Sequence, residues 1–109
     1  MNAQINNGAV RILRDYTGRG PTMARSVIDH NSVMILMGDT LTPGERRLAD
    51  AGRADHVINN RHELQRLMRD DLVKLVEDAL DRKVIAFMST NHIDPDMAVE
   101  VFVLEPTAE

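Results

Sequence analysis

Apolar residues at Ile5, Ala9, Ile12, Leu13 and Tyr16 recur at helical spacing and predict an amphipathic first helix that stops at Thr17-Gly18, with Gly18 as its C-cap. Gly18-Arg19-Gly20-Pro21 is then a sharp corner, because glycine admits positive φ and proline cannot continue a helix. Between Thr22 and Asp39 the pattern changes. Val27-Ile28, a polar break at Asp29-His30-Asn31-Ser32 and the apolar run Val33 to Met37 predict a β-hairpin. That run is apolar at both parities, which suits a strand covered on both faces, by helices or by a partner subunit.

Leu41-Thr42-Pro43-Gly44-Glu45 carries the signs of a helix start. Thr42 can cap, Pro43 stands at the first helical position, and Glu45 falls three residues after the cap, as a capping box requires. This short helix carries Leu48 and ends at Ala51-Gly52. A longer helix follows from about Ala54 to Leu80, with Val57, Leu64, Met68, Leu72, Leu75, Val76 and Ala79 on its apolar face. Arg61, Arg66, Arg69, Asp70, Asp71 and Lys74 are expected on the opposite, solvated face. Pairs such as Asp70 with Lys74 would each add roughly 0.2 to 0.5 kcal/mol. Val84 to Met88 and Val99 to Leu104 predict a second hairpin, in which Val99, Val101 and Val103 share one face and Ala98, Glu100, Phe102 and Leu104 the other.

The expected fold is therefore α+β: helix, β-hairpin, two helices, β-hairpin, with a four-stranded, largely antiparallel sheet and the helices mainly on one face. At 109 residues the chain makes one domain, 1–109, with a short flexible tail at 107–109. Strand order does not follow from the pattern. Two-sided apolar strands and open sheet edges favour a homodimer.

Composition narrows the function by subtraction. A net charge of -4 argues against a nucleic-acid partner, whose phosphates call for clustered Lys and Arg. With no cysteine there is no disulfide or thiolate chemistry, which fits a reducing cytoplasm. No apolar run approaches the roughly 20 residues of a membrane span, and the N-terminus lacks the order of a signal peptide, so a cytoplasmic protein without direct membrane insertion is expected.

The candidate chemistry lies in two connectors. Asn91-His92-Ile93-Asp94-Pro95-Asp96 brings an imidazole and two carboxylates within a short stretch, although the same residue types also build turns for conformational reasons. The carboxylates are too few for a hard cation and the histidines too sparse for zinc, so neither a metal nor a cofactor is expected. Gly18, Arg19 and Gly20 with His92, Asp94 and Asp96 form the candidate ligand-binding set. His30 and His92 would meet if both hairpins turned at the same end of the sheet, and such a pair would respond to pH near neutrality. Ser26, Ser32 and Ser89 have no nucleophile-elbow context; no catalytic residue is assigned, and the balance is against an enzyme.

The order GRGP, a strand pair, LTPGE, a long Arg-containing helix and DRKVIAFMSTNHIDPDMAVEVFVLEP resembles the MpsC-like family, labelled a subunit of a Na+-translocating membrane potential-generating system. The resemblance runs from about Ala9 to Pro106. It implies a small soluble domain associated with a membrane system that couples ion movement to inorganic-carbon uptake. A domain without a membrane span does not itself conduct ions, so the implied role is a non-catalytic accessory or regulatory module, peripherally bound to a membrane protein complex. The alternative is a small-ligand or ion-binding protein, with or without weak enzymatic activity. One departure stands out: similar sequences have glycine before Arg-Lys-Val, whereas this chain has Asp81, which fits a left-handed cap less well.

Overall fold

The computed structural model describes residues 1–107, so the last two residues of the expected tail lie outside the described part. The elements follow the order α1 (Asn2–Thr17), β1 (Met23–Asp29), β2 (Ser32–Gly38), α2 (Pro43–Asp50), α3 (Ala54–Leu80), β3 (Val84–His92) and β4 (Met97–Leu104). This is the expected α+β arrangement. All three strand pairings are antiparallel, in the order β1-β2-β4-β3, so the last strand of the chain lies inside the sheet.

Local signals set the boundaries. Gly18 closes α1 in the left-handed conformation at φ 84°, its N–H donating to the Arg14 carbonyl. Thr42 and Glu45 complete the capping box of α2. Asp81 adopts the left-handed cap of α3 at φ 52° despite its Cβ, so the departure from glycine leaves the helix exit in place. The second hairpin is longer than its apolar pattern suggests. Asn91 and His92 belong to β3, where they pair with Ala98 and Met97.

The core lies between the helices and one face of the sheet. Ile5, Ala9 and Leu13 of α1 and Met68, Leu72 and Val76 of α3 pack on Val33, Ile35 and Met37 of β2 and on Ala98, Phe102 and Leu104 of β4. Each fully buried large side chain contributes on the order of 1.5 to 3 kcal/mol. Helices therefore cover only one face of β2, not both. On the other face Met34 and Leu36 lie beside Val99, Val101 and Val103, half-buried by one another, while Val27 and Met88 on the flanking strands are 46% and 53% exposed.

The two hairpin turns lie at opposite ends of the sheet. Ser32 pairs with Val103, whereas Gly38 pairs with Met97. His30 and His92 are thus a strand length apart and form no pair. Each end is fastened by arginine: Arg82 donates to the His30 carbonyl, the Asn31 side chain and the Glu105 carbonyl at one end, and Arg19 and Arg46 act at the other.

Candidate functional site

The corner after α1 and the turn after β3 meet at Asp39, the residue that follows β2. Arg19 donates through Nε to the Asp39 carbonyl at 3.2 Å and pairs through Nη2 with the Asp39 carboxylate. The Thr22 hydroxyl donates to that carboxylate at 3.0 Å and Arg46 at 2.7 Å. The Thr22 hydrogen bond, followed by those from Arg19 and Arg46, holds Asp39 below the usual carboxylate range. Arg46 also donates to Asp96 at 2.9 Å and so links the corner to the second hairpin.

Asp96 is an anchor. Its Oδ1 accepts from the Thr40 N–H at 3.0 Å and the Thr40 hydroxyl at 2.8 Å, and its Oδ2 from the Leu41 N–H at 3.0 Å and from Arg46. Four donors occupy both oxygens, and little of the side chain reaches solvent. A ligand would have to displace these bonds. Asp96→Ala is expected to lower stability by about 2 kcal/mol, since it strands two loop N–H groups and a hydroxyl; chemical denaturation checks this, and an unchanged midpoint would show the anchor to be dispensable.

Of the six candidate residues, Arg19 and Asp96 are drawn into one network through Asp39 and Arg46. Gly18 and Gly20 serve the chain reversal. Gly20 has Val10 and Arg14 of α1 so close that a Cβ would lie 3.3 Å from Val10 Cγ1. His92 is exposed and turned back on its own turn, its Nδ1 2.8 Å from the Pro95 carbonyl, which requires Nδ1–H to be the donor. Asp94 makes no bond to that network but lines an adjoining recess of about 220 Å³ with Leu41, Arg46, Ala49, Asp50, Ile93 and Asp96. Among the described residues no three His, Asp or Glu side chains converge as the donors of a metal ion would. Among the described residues no helix is long and apolar enough to cross a membrane.

Helix, hairpin, two helices and hairpin, with this corner intact, are the frame on which the comparison with known families bears. The family model described as "Na+-translocating membrane potential-generating system (MpsC)" matches residues 1–106. The chain belongs to the MpsC family. Comparisons with curated proteins and with solved structures give no match.

Two further groups in this MpsC-family domain escape a reading by residue type. Arg61, expected on the solvated face of α3, is 1% exposed. Its Nε and Nη2 donate to the two Glu45 oxygens at 2.8 and 2.6 Å, and Nη2 also donates to the Thr40 carbonyl at 2.6 Å. Glu45 is the capping-box residue of α2, so one carboxylate fastens α2 to its own N-terminus and to α3. Burial works to raise the Glu45 pKa, but the Arg61 hydrogen bonds and the Thr42 N–H outweigh it and the carboxyl sits below its ordinary value. Sequence periodicity held the signal: 57, 61, 65, 68, 72 and 76 form the buried stripe of α3, and Arg61 and Gln65 occupy it. Lys74 pairs with Asp78, one turn on, not with Asp70.

Glu100 is the second such group. It shares the helix-covered face with Ala98, Phe102 and Leu104 and is 1% exposed, with Oε2 lacking a hydrogen-bond partner. Burial pushes its carboxyl up to about 7, and the Ser89 hydroxyl beside it and the Arg61 charge offset only part of that effect. Ser26, Ile35, Glu100 and Ser89 form one register row across the sheet. Its polar members Ser26, Glu100 and Ser89 all carry an unpaired oxygen.

Proposed function

We propose that this domain is a non-catalytic accessory or regulatory module of an ion-coupled membrane system, serving inorganic-carbon uptake or membrane-potential generation, and that it acts by protein–protein binding as a homodimer in the cytoplasm. Family membership supports the system. The observation that carries the mode of action is the uncovered sheet face. Its central strands present Met34, Leu36, Val99, Val101 and Val103 and no charge, while Arg25, Asp29, Thr90 and His92 stand on the two edge strands. An apolar centre with a polar rim is the anatomy of an interface. Four strands about 4.8 Å apart, seven residues long at about 3.4 Å each, outline roughly 450 Å² in plan. Side-chain relief brings this toward the roughly 800 Å² per partner of a standard interface.

The occupant is a second copy of the chain. An uncharged centre is complementary to itself, and a twofold axis that lays β1 antiparallel over its own copy sets Arg25 of each protomer against Asp29 of the other, with Val27 between. Sedimentation equilibrium is expected to give twice the chain mass of 12.2 kDa. Val101→Lys is expected to weaken the dimer by at least about tenfold, roughly 1.4 kcal/mol, without loss of helix signal. Arg25→Asp is expected to weaken it and Arg25→Asp with Asp29→Arg to restore it. A wild-type monomer at micromolar concentration would refute the face as a homodimer interface. For the accessory role, cross-linking in native membranes is expected to join the domain to an integral membrane protein that carries the ion path, and cross-links to soluble proteins alone would refute it.

A further inference from the structure

We infer that the cavity between α3 and β3 is a binding site for a small organic anion, with its charged head held by Arg66, Arg69 and His62 and its body seated against Phe87, Ser89 and Gln65. This site is separate from the Arg19–Asp39 corner and lies on the helix-covered side of the sheet, away from the uncovered face.

The cavity measures about 310 Å³, at the small end of the roughly 300 to 1,000 Å³ that ligand pockets span. Residues 62, 65, 66 and 69 recur at helical spacing, so one face of α3 supplies one wall; β3 supplies Phe87 and Ser89. The lining contains two arginines and a histidine and no carboxylate. That is unusual in a chain of net charge -4. By contrast, the recess at Asp94 is lined by Asp50, Asp94 and Asp96 with a single arginine, and the groove between α1 and α3 balances Asp71 and Asp78 against Arg11 and Lys74.

The arginines are available to a ligand. Arg66 lies 3.9 Å from Glu63 and Arg69 lies 3.6 Å from Asp70, in exposed pairs of the kind worth about 0 to 1 kcal/mol. A guanidinium carries five donors, so such a pair leaves most of its fork free for a carboxylate or phosphate. The floor supplies the independent observation. Buried polar atoms nearly always find a partner, yet Ser89 Oγ has none. Ser89 lines the cavity. Gln65, 6% exposed, adds an amide to the same wall. Phe87 offers an aromatic surface beside this polar floor, which suits a ligand with a flat or apolar body and at least one hydrogen-bonding group.

The test is an amide NMR titration of the full chain with benzoate and with phenyl phosphate, which place each anionic head on a flat body, and with benzamide as the uncharged counterpart. Saturable shifts confined to residues 62–69 and 87–91, at least about tenfold tighter for an anionic probe than for benzamide, are expected; whichever anion binds more tightly names the head group. Arg66→Gln with Arg69→Gln, both at exposed positions, is expected to weaken binding about tenfold or more. Ser89→Ala is expected to weaken it without altering the charge. No saturable shift with either anion up to about 10 mM, shifts that map to the sheet's other face, equal binding of benzamide, or affinity unchanged in the double-arginine variant would each overturn the site.

Discussion

Arg61→Ala is expected to remove about 3 to 5 kcal/mol of stability, because it breaks a buried charge pair from one side only. The alanine leaves Glu45, whose side chain is 11% exposed, without its bidentate partner, strands the Thr40 carbonyl, and opens a cavity where the guanidinium and its stem lay. Small domains hold roughly 5 to 15 kcal/mol in all, so a loss of this size is visible in any denaturant titration followed by far-ultraviolet circular dichroism. Arg61→Met separates charge from volume. It keeps most of the stem and is expected to lose nearly as much, since the stranded carboxylate dominates. Adding Glu45→Gln to Arg61→Met should recover much of the loss, because glutamine still accepts from the Thr42 N–H and leaves no buried charge. A loss below about 1 kcal/mol for Arg61→Ala would mean that the pair only breaks even with its desolvation. Acidification supplies a second check. The Glu45 pKa is lowered in the folded state, so its contribution is present above the unfolded value and is lost as pH falls through the folded one; Arg61→Ala should flatten that part of the profile.

The elements were legible because each has a local cause. The helical spacing of Ile5, Ala9 and Leu13, the Thr42-Pro43-Glu45 start and the strand alternation of Val99 to Leu104 act within a few residues, and the structure follows them. Asp96 was legible as a turn residue, but its task was not. The loop groups it holds, Thr40 and Leu41, lie over fifty positions away in the chain. Arg61 misleads by type: a guanidinium suggests solvent, and only its place on the buried stripe of α3 says otherwise. Strand order lay beyond the pattern as well. β2 and β4 carry apolar side chains on both faces, which fits a central strand, but nothing local says that β4 inserts between β2 and β3. Two-sided apolarity also left open what covers the second face; α1 and α3 pack on the first, and α2 packs on α3, which leaves the second bare. The residues around the α3–β3 cavity fall individually into unremarkable classes, with two arginines and a histidine on a charged helix and a serine in a strand. They acquire meaning only when α3 crosses above β3 and brings them to one cavity.

Glu100→Gln is expected to stabilise the protein at alkaline pH by on the order of 3 kcal/mol and to change little in mild acid. The carboxyl titrates near 7 in the folded state against an ordinary 4.5, so between those values the folded protein holds a proton that the unfolded chain has released. Stability therefore falls as pH rises across this window and levels off above about 7, where a buried carboxylate has formed without a hydrogen bond to Oε2. Glutamine is close in shape to the protonated acid and cannot ionise. Denaturant midpoints of the two proteins should converge below about pH 4.5 and separate steadily up to about pH 8. Asp39 and Glu45 do not confuse this measurement. Both are lowered, so their contributions change below the ordinary carboxylate range and with the opposite slope, and they are common to the two proteins. Parallel profiles through neutrality would refute the buried carboxyl as the cause. Arg61 connects this result with the first: its charge favours the ionised form of Glu100, so in an Arg61→Met background the folded-state pKa should move higher still and the benefit of Glu100→Gln at pH 8 should grow. Additive effects would mean instead that Arg61 acts on Glu45 and Thr40 alone and that Glu100 responds only to its burial.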